Sequence, residues 1–215
     1  GVAEPDDNGF LIIGANPVSR MLAHALNDND FNSLVTDDNW ANIKSARMEG
    51  LKSYYGNAIS EHASRHLDLV GLGHLLAMSP QKENNALVGQ HYRSEFGSNR
   101  IYFLSSESDS EKHDEDQNSR NSINYGHQVL FSHDTTFSKL ASLISQGAQT
   151  RHTTISDSFT YEDYKEQYGR RAIPLFSFNE KRQLQFFTSE IDFTPSSGTT
   201  ITALVQEQAD DLKPK

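Results

Sequence analysis

Two turns of the chain carry the residues best suited to binding a ligand. Gly14 ends an apolar run, residues 10–13, and Asn16 and Pro17 follow as a favourable helix start. Asp37 lies 23 residues after Gly14, at the end of a second apolar segment. In a strand–turn–helix unit, the amides of such a turn hold phosphate, and an acid at this spacing accepts hydrogen bonds from ribose hydroxyls. The spacing therefore predicts a nucleotide site.

The glycine pattern of the first turn is incomplete. A dinucleotide-binding turn has the form Gly-x-Gly-x-x-Gly, whereas here Gly14 is followed by Asn16 and Ser19 at the second and third glycine positions. The second glycine lets a pyrophosphate approach the backbone, so Asn16 would crowd a dinucleotide. Asp38 offers a second carboxylate beside Asp37, and the alternative role of both acids is to cap the next helix.

Other residue types with catalytic potential do not form a site in the sequence. Ser132, His133 and Asp134 are consecutive, and because neighbouring side chains diverge they cannot form a relay. His62 and His66 are four residues apart but lack the third ligand of a zinc site. The chain has no cysteine, which excludes disulfides and thiolate nucleophiles. We therefore predict no catalytic residue, no metal site and no enzyme activity.

The amino-acid composition limits the classes of molecule that the chain can bind. The 215 residues carry a net charge of −10, which disfavours electrostatic binding to nucleic acid. No segment approaches the roughly 18 consecutive apolar residues that cross a bilayer, and the N-terminus lacks a signal-peptide pattern. We expect the fragment to be soluble by itself and to bind no nucleic acid.

The elements that position the two turns alternate between strands and helices. Short apolar runs, typical of buried parallel strands, are separated by segments with helical periodicity. This alternation implies a Rossmann-like α/β fold, a parallel sheet with helices on both faces, in which ligands bind beyond the carboxyl ends of the strands. The predicted strands cover residues 10–13, 31–36, 53–55, 75–78 and 101–104.

A strongly acidic segment follows the last of these strands. Residues 105–118 contain six acids, one lysine and no apolar side chain, a composition typical of solvated chain. We predict a nucleotide-binding domain over residues 9–105 and an acidic flexible linker or loop over residues 106–124. A helical segment and several strand-like segments then predict a small α+β subdomain over residues 125–206, followed by a polar tail at 207–215.

The order of the motifs resembles a known family. The likeness extends over about residues 10–105 and is carried by the segments GANPVSRMLAHAL, LVTDDNW, YYGNA and AMSPQKENNAL. They resemble the Trk-type N-terminal domain, also called RCK or KTN, which binds nucleotides in Trk- and Kef-type potassium transport proteins. The sequences of these segments are most similar to the versions of the domain that are fused behind bacterial sodium/proton antiporters.

The resemblance implies contacts to an adenine nucleotide from four turns. The altered first turn favours a mononucleotide such as AMP or ADP over NAD(H), because a mononucleotide has less phosphate to hold. The predicted contact residues are Gly14, Ala15, Asn16 and Pro17 for phosphate, Asp37, Asp38 and Asn39 for ribose, Asn57 and Ala58 for adenine, and Ser79, Glu83 and Asn85 after the fourth strand.

The resemblance also implies a regulatory role. We expect a domain on the cytoplasmic side of the bacterial inner membrane that senses AMP, ADP or NAD(H) and gates a sodium (cation)/proton antiporter. Its expected partners are a second copy, in a homodimer, and the membrane-embedded antiporter domain of the same polypeptide, which would precede Gly1. Two alternatives remain open. One is an NAD-dependent oxidoreductase, although the small second module offers no convincing acid–base pair. The other is a degenerate dimerisation module without ligand.

Overall fold

The strands of the chain form two sheets of different kinds. A computed structural model describes residues 7–105, 128–189 and 192–207, so the predicted acidic linker lies outside the described residues. The strands are β1 (Gly9–Ile13), β2 (Ser33–Asp37), β3 (Ser53–Tyr55), β4 (Leu72–Ala77), β5 (Ile101–Leu104), β6 (Val129–Leu130), β7 (Gln149–Thr154), β8 (Ala172–Phe178), β9 (Leu184–Phe186) and β10 (Thr200–Val205). The first six form a parallel sheet in the order β3-β2-β1-β4-β5-β6, and the last four form an antiparallel C-terminal sheet in the order β7-β10-β8-β9.

Helices connect the parallel strands. The order of the parallel strands is that of dinucleotide-binding folds, so the predicted Rossmann-like α/β fold with a small C-terminal unit is confirmed. The strand order reverses between β1 and β4, which opens a crevice at the carboxyl ends of these strands. The helices are α1 (Pro17–Asp28), α2 (Trp40–Met48), α3 (Glu61–His66), α4 (Lys82–Phe96), α5 (Phe137–Ser145) and α6 (Tyr161–Tyr168). None of the helices in the described ranges is long and apolar enough to cross a membrane.

Three of the five predicted strands have different bounds in the structure. β1 begins one residue earlier, and β2 covers Ser33–Asp37 instead of residues 31–36. β4 covers Leu72–Ala77 instead of residues 75–78, because Leu72 and His74 pair with β1 although Gly73 and His74 interrupt the apolar pattern.

The core on one face of the parallel sheet continues into the C-terminal sheet. Phe10 of β1 packs edge-on against Phe31 and against Phe186 of β9, with ring centroids 6.2 and 5.5 Å apart. Leu140 of α5 belongs to the same buried cluster. Residues 129–145, which lie within the predicted second subdomain, therefore complete the parallel sheet and one of its helical layers. The opposite face has a separate core around α4.

A cation–π contact fastens the turn after α1 to the C-terminal sheet. The Arg182 guanidinium lies 4.5 Å from the ring centroid of Phe31 and 5.2 Å from that of Phe178. Arg182 also donates a hydrogen bond to the Asn29 carbonyl. Because Arg182 lies between β8 and β9, α1 is held at its C-terminal end by the C-terminal sheet.

His74 makes the stability of the fold sensitive to pH. Its ring stacks on Phe10 with centroids 5.0 Å apart, and its Nδ1 has no hydrogen-bond partner in the described part of the chain. Burial lowers the pKa of His74 from its ordinary value of 6.5, and Arg100 lowers it further. The unfolded chain therefore binds a proton that the folded chain does not, so stability is complete above the unfolded pKa and decreases as the pH falls towards the folded pKa.

We expect the free energy of unfolding to decrease between about pH 7.5 and about pH 5.5, and to decrease less in His74→Phe. Urea titrations at the two pH values measure the difference. An equal pH dependence in His74→Phe and the native chain would contradict the assignment.

Candidate functional site

A cleft of about 410 Å³ lies at the carboxyl ends of β1 to β4. This is the crevice that the reversal of strand order creates, and it is where ligands bind in open α/β sheets. Four turns and the adjoining residues line it: Ile13, Gly14 and Asn16; Thr36, Asp37, Asp38, Asn39 and Asn42; Gly56, Asn57, Ala58 and Ile59; and Ser79, Pro80, Gln81, Asn84, Leu87 and Val88.

The turn after β1 requires glycine at its first position. Gly14 has a φ of +105°, which side-chain-bearing residues rarely adopt. Its amide donates to the Thr36 carbonyl at 2.7 Å, so the turn is fixed against β2. A Cβ at this position would lie 3.2 Å from Asn16 Nδ2. The turn is therefore closely packed as well as conformationally restricted.

Asn16 connects the first turn to β4. Its Oδ1 accepts a hydrogen bond from the Ser19 amide and its Nδ2 donates to the Met78 carbonyl, both at 2.9 Å. The side chain is buried and caps α1. Asn16 thus fills the space that a second glycine would leave open, and it holds the turn beside the end of β4.

The first turn leaves two backbone amides unpaired, and one of them, that of Asn16, belongs to a residue that lines the cleft. Pro17 has no N–H group, and the Ala15 amide donates to Asp37. Among the described residues, the amides of Asn16 and Val18 have no hydrogen-bond partner. Both belong to the N-terminal end of α1, where unpaired amides and the helix dipole favour an anion. The turn can therefore bind a single anionic group.

Asp37 lines the cleft and also holds neighbouring parts of the site together by hydrogen bonds. Its Oδ2 accepts hydrogen bonds from the Ala15 amide and from Asn42 Nδ2, and its Oδ1 accepts one from the Asn39 amide, each at 2.9 Å. A carboxylate has about four acceptor positions, so one position at Oδ1 is left for a ligand hydroxyl. A second ribose contact requires the Asn42 side chain to move away.

The next two polar residues are more exposed than Asp37. Asp38 and Asn39 both line the cleft. Asn39 Oδ1 accepts from the Ala41 amide at 2.9 Å and caps α2. Its side-chain oxygen is therefore already used, whereas Asp38 presents a carboxylate to solvent at the rim.

The turn after β3 and α4 together form a less polar part of the cleft. The Gly56 amide donates to the Asp37 carbonyl at 2.8 Å, which joins this turn to β2. Asn57 Oδ1 accepts from the Ile59 amide at 3.0 Å, and Ala58 is buried. Leu87 of α4 also lines the cleft. Together these residues form a pocket that suits a flat, mostly apolar ring.

Asn85 shapes the turn after β4 without lining the cleft. It is buried, its Oδ1 accepts from the Ser79 amide at 2.9 Å, and its Nδ2 donates to the Ser79 carbonyl at 2.8 Å. Both backbone groups of Ser79 are thus held by one side chain. Asn85 is a positioning residue for the edge of the cleft.

Comparison with known proteins places the chain in a family. The family model for the TrkA-N domain matches residues 10–117, which is half of the chain. The chain belongs to the TrkA-N family. The predicted resemblance is thereby confirmed for the family, and the narrower likeness to antiporter domains stays a prediction. No curated protein matches this TrkA-N chain.

Several solved structures are similar to the TrkA-N chain. The TrkA-N domain of the inner membrane protein ybaL from Escherichia coli is 20% identical, with a TM-score of 0.37, over 45% of this chain and 70% of that one. The GsuK RCK domain is 12% identical, with a TM-score of 0.45, over 93% of this chain and 44% of that one. The GsuK channel bound to NAD is 16% identical, with a TM-score of 0.43, over 94% and 38% of the two chains.

The structure brings most of the predicted TrkA-N contact residues to the cleft. Four of the twelve do not line it. Ala15 takes part only through its backbone amide, which bonds to Asp37, and Pro17 and Glu83 are exposed outside the cleft. Asn85 holds the backbone of Ser79, which does line the cleft. The residues that do line it are Gly14, Asn16, Asp37, Asp38, Asn39, Asn57, Ala58 and Ser79.

The sequence reasoning missed Asn42, Gln81 and Asn84. Asn42 bonds to Asp37 from the first turn of α2, and its position five residues after the acid is the only signal that could have indicated it. No group of three or more histidines or acids within residues 7–105, 128–189 and 192–207 is arranged to hold a metal ion.

Replacing Asn16 by alanine should destabilise the TrkA-N domain by about 2 kcal/mol. About half of this comes from the lost helix cap and about half from the lost hydrogen bond to the buried Met78 carbonyl. Urea unfolding measures the loss. Asn39→Ala is the matched control, because it removes an exposed cap and should cost less. If Asn16→Ala lowers the free energy of unfolding no more than Asn39→Ala does, the proposed role of Asn16 in connecting the first turn to β4 is contradicted.

Proposed function

We propose that this chain is a regulatory domain whose cleft binds an adenine nucleotide and passes the binding event to an attached cation transporter. The observation that carries the proposal is the pairing of an anion site with a hydroxyl acceptor across one cleft. The unpaired amide of Asn16 lies at one end of it, and Asp37 Oδ1 retains an acceptor position.

A mononucleotide satisfies these groups without rearranging the first turn. Its phosphate would accept from the amide of Asn16 at the N-terminal end of α1, and its ribose would donate to Asp37. Its base would enter the pocket between Ala58 and Leu87. A dinucleotide pyrophosphate would meet the Asn16 side chain, which two hydrogen bonds hold in place.

α1 offers a route from the cleft to the rest of the chain. Its N-terminal end carries the phosphate-binding amide, and the turn at its C-terminal end is fastened to the C-terminal sheet through Arg182. Regulation requires only that the nucleotide binds one arrangement of these parts more tightly than another. We further propose, from the sequence motifs, that the transporter is a sodium (cation)/proton antiporter and that the domain acts as a homodimer on the cytoplasmic side of the membrane.

Isothermal titration of the chain with AMP, ADP, ATP, NAD⁺ and NADH tests the proposal. GsuK structures bound to NAD and to ADP make both ligands necessary members of the panel. We expect AMP or ADP to bind more tightly than either dinucleotide, and we expect Asn16→Gly to reduce that preference because it removes the obstructing side chain.

Two results would overturn the proposal. No measurable binding of any nucleotide would favour a dimerisation module without ligand. Hydride transfer between NADH and a small carbonyl substrate, followed by absorbance, would favour the oxidoreductase alternative.

A further inference from the structure

A second cavity, of about 670 Å³, lies where the parallel sheet meets the C-terminal sheet. Leu130 at the end of β6 bridges to Thr188, and the Ser189 amide donates to the Val129 carbonyl at 2.9 Å. The loop between β6 and α5 forms one wall, and residues 170–174 form another. The cavity therefore opens at the carboxyl end of a strand, as the nucleotide cleft does. It lies beside the edge strand β6, whereas the cleft lies at β1 to β4.

Two cations of this cavity lack acidic partners. Lys139 in the first turn of α5 and Arg170 just before β8 line the cavity, and neither forms an ion pair within the described ranges. The cavity also has two acids, Asp134 and Asp192. Asp192 lies close enough to Lys165 to act on it electrostatically.

The wall of the cavity also contains a buried hydroxyl without a hydrogen-bond partner among the described residues. Thr188 lines the cavity, its side chain is only 7% exposed, and its Oγ1 has no partner in the part of the chain that the structure describes. An unsatisfied buried hydroxyl is costly, so a ligand oxygen that accepted its hydrogen bond would be favourable. The apolar residues of the lining include Phe131, Ile173 and Pro174.

We propose that this cavity binds an organic anion whose carboxylate or phosphate group lies between Lys139 and Arg170 and whose apolar body packs against Phe131 and Ile173. The anionic group would form ion pairs with Lys139 and Arg170 and would give the Thr188 hydroxyl an acceptor. The volume is within the range of small-molecule sites. The proposal does not depend on nucleotide binding in the cleft.

Amide chemical shifts of the full chain, titrated with phenylacetate, test the proposal. We expect saturable shifts confined to the residues around Ser132, Lys139 and Thr188. Phenylacetamide has the same ring without the charge, and inorganic phosphate has the charge without the ring, so both should bind more weakly. Equal binding of the neutral amide or of inorganic phosphate would overturn the proposal, as would tighter binding of phenylalanine, which would indicate a zwitterion site.

Variants locate the binding groups. Lys139→Ala and Arg170→Ala should each weaken phenylacetate binding by about tenfold, the loss typical of a charge-assisted hydrogen bond. Lys44→Ala removes the same charge from an exposed position on α2 and should leave binding unchanged. No shifts at the cavity, or equal weakening by Lys44→Ala, would refute the site.

Discussion

Replacing Asp37 by alanine is expected to weaken nucleotide binding by about 10- to 150-fold, which corresponds to about 1.5–3 kcal/mol. The variant removes the proposed acceptor for the ribose hydroxyl. It also releases the Ala15 amide and Asn42, which Asp37 holds by hydrogen bonds of 2.9 Å, so the first turn loses one of its hydrogen bonds to β2. Isothermal titration with AMP and ADP measures the loss.

The control variant for this experiment is Asp38→Ala. Asp38 lies next in the chain and also lines the cleft, but it is exposed and forms no hydrogen bond to either turn within the described residues. It should change the affinity by less than about twofold, a small effect typical of an exposed charge. Urea unfolding of both variants separates a loss of affinity from a loss of folded protein. Unchanged affinity in a folded Asp37→Ala variant would remove Asp37 from the nucleotide site.

Replacing Phe186 by alanine should destabilise both sheets together, by about 3–5 kcal/mol. Phe186 belongs to the C-terminal sheet but is buried against Phe10 of the parallel sheet, with ring centroids 5.5 Å apart, and against Tyr102 at 4.9 Å. The cavity left behind would therefore affect both sheets. We expect one cooperative transition, shifted to lower urea concentration.

Two probes show whether the two sheets unfold as one cooperative unit or as two. The single tryptophan, Trp40 of α2, reports on the parallel sheet through its fluorescence, and hydrogen exchange of the amides in β8 and β10 reports on the C-terminal sheet. Met48→Ala serves as the control, because this side chain is 79% exposed and its loss should cost little. An unshifted Trp40 transition in Phe186→Ala would show that the two sheets unfold independently.

The sequence predicts the parallel sheet well because its signals are local. The apolar run before Gly14 indicates a buried strand, and Gly14 marks the turn that only a residue tolerating positive φ can make. The distance to Asp37 then follows from the length of one strand–helix–strand unit. These features need no knowledge of distant contacts, so they can be recognised in a single chain.

The roles of the asparagines and the shared core depend on contacts between distant residues. Asn16 reaches the Met78 carbonyl, 62 positions away, and nothing near it in the sequence indicates that partner. β6 contains only two residues, which is too short for a periodic pattern. The packing of Phe186 on Phe10 joins elements at opposite ends of the chain. Such contacts become visible only when the fold is known.

The hydrogen bonds that Asp37 makes within the protein have a consequence for how a ligand would be detected. A nucleotide that bonds to Asp37 through both ribose hydroxyls would displace Asn42, so part of its binding energy would replace a contact that already exists. Its net affinity would be lower and its dissociation correspondingly faster. Occupancy of the cleft would then rise and fall with a ligand that is abundant in the cell, instead of remaining saturated.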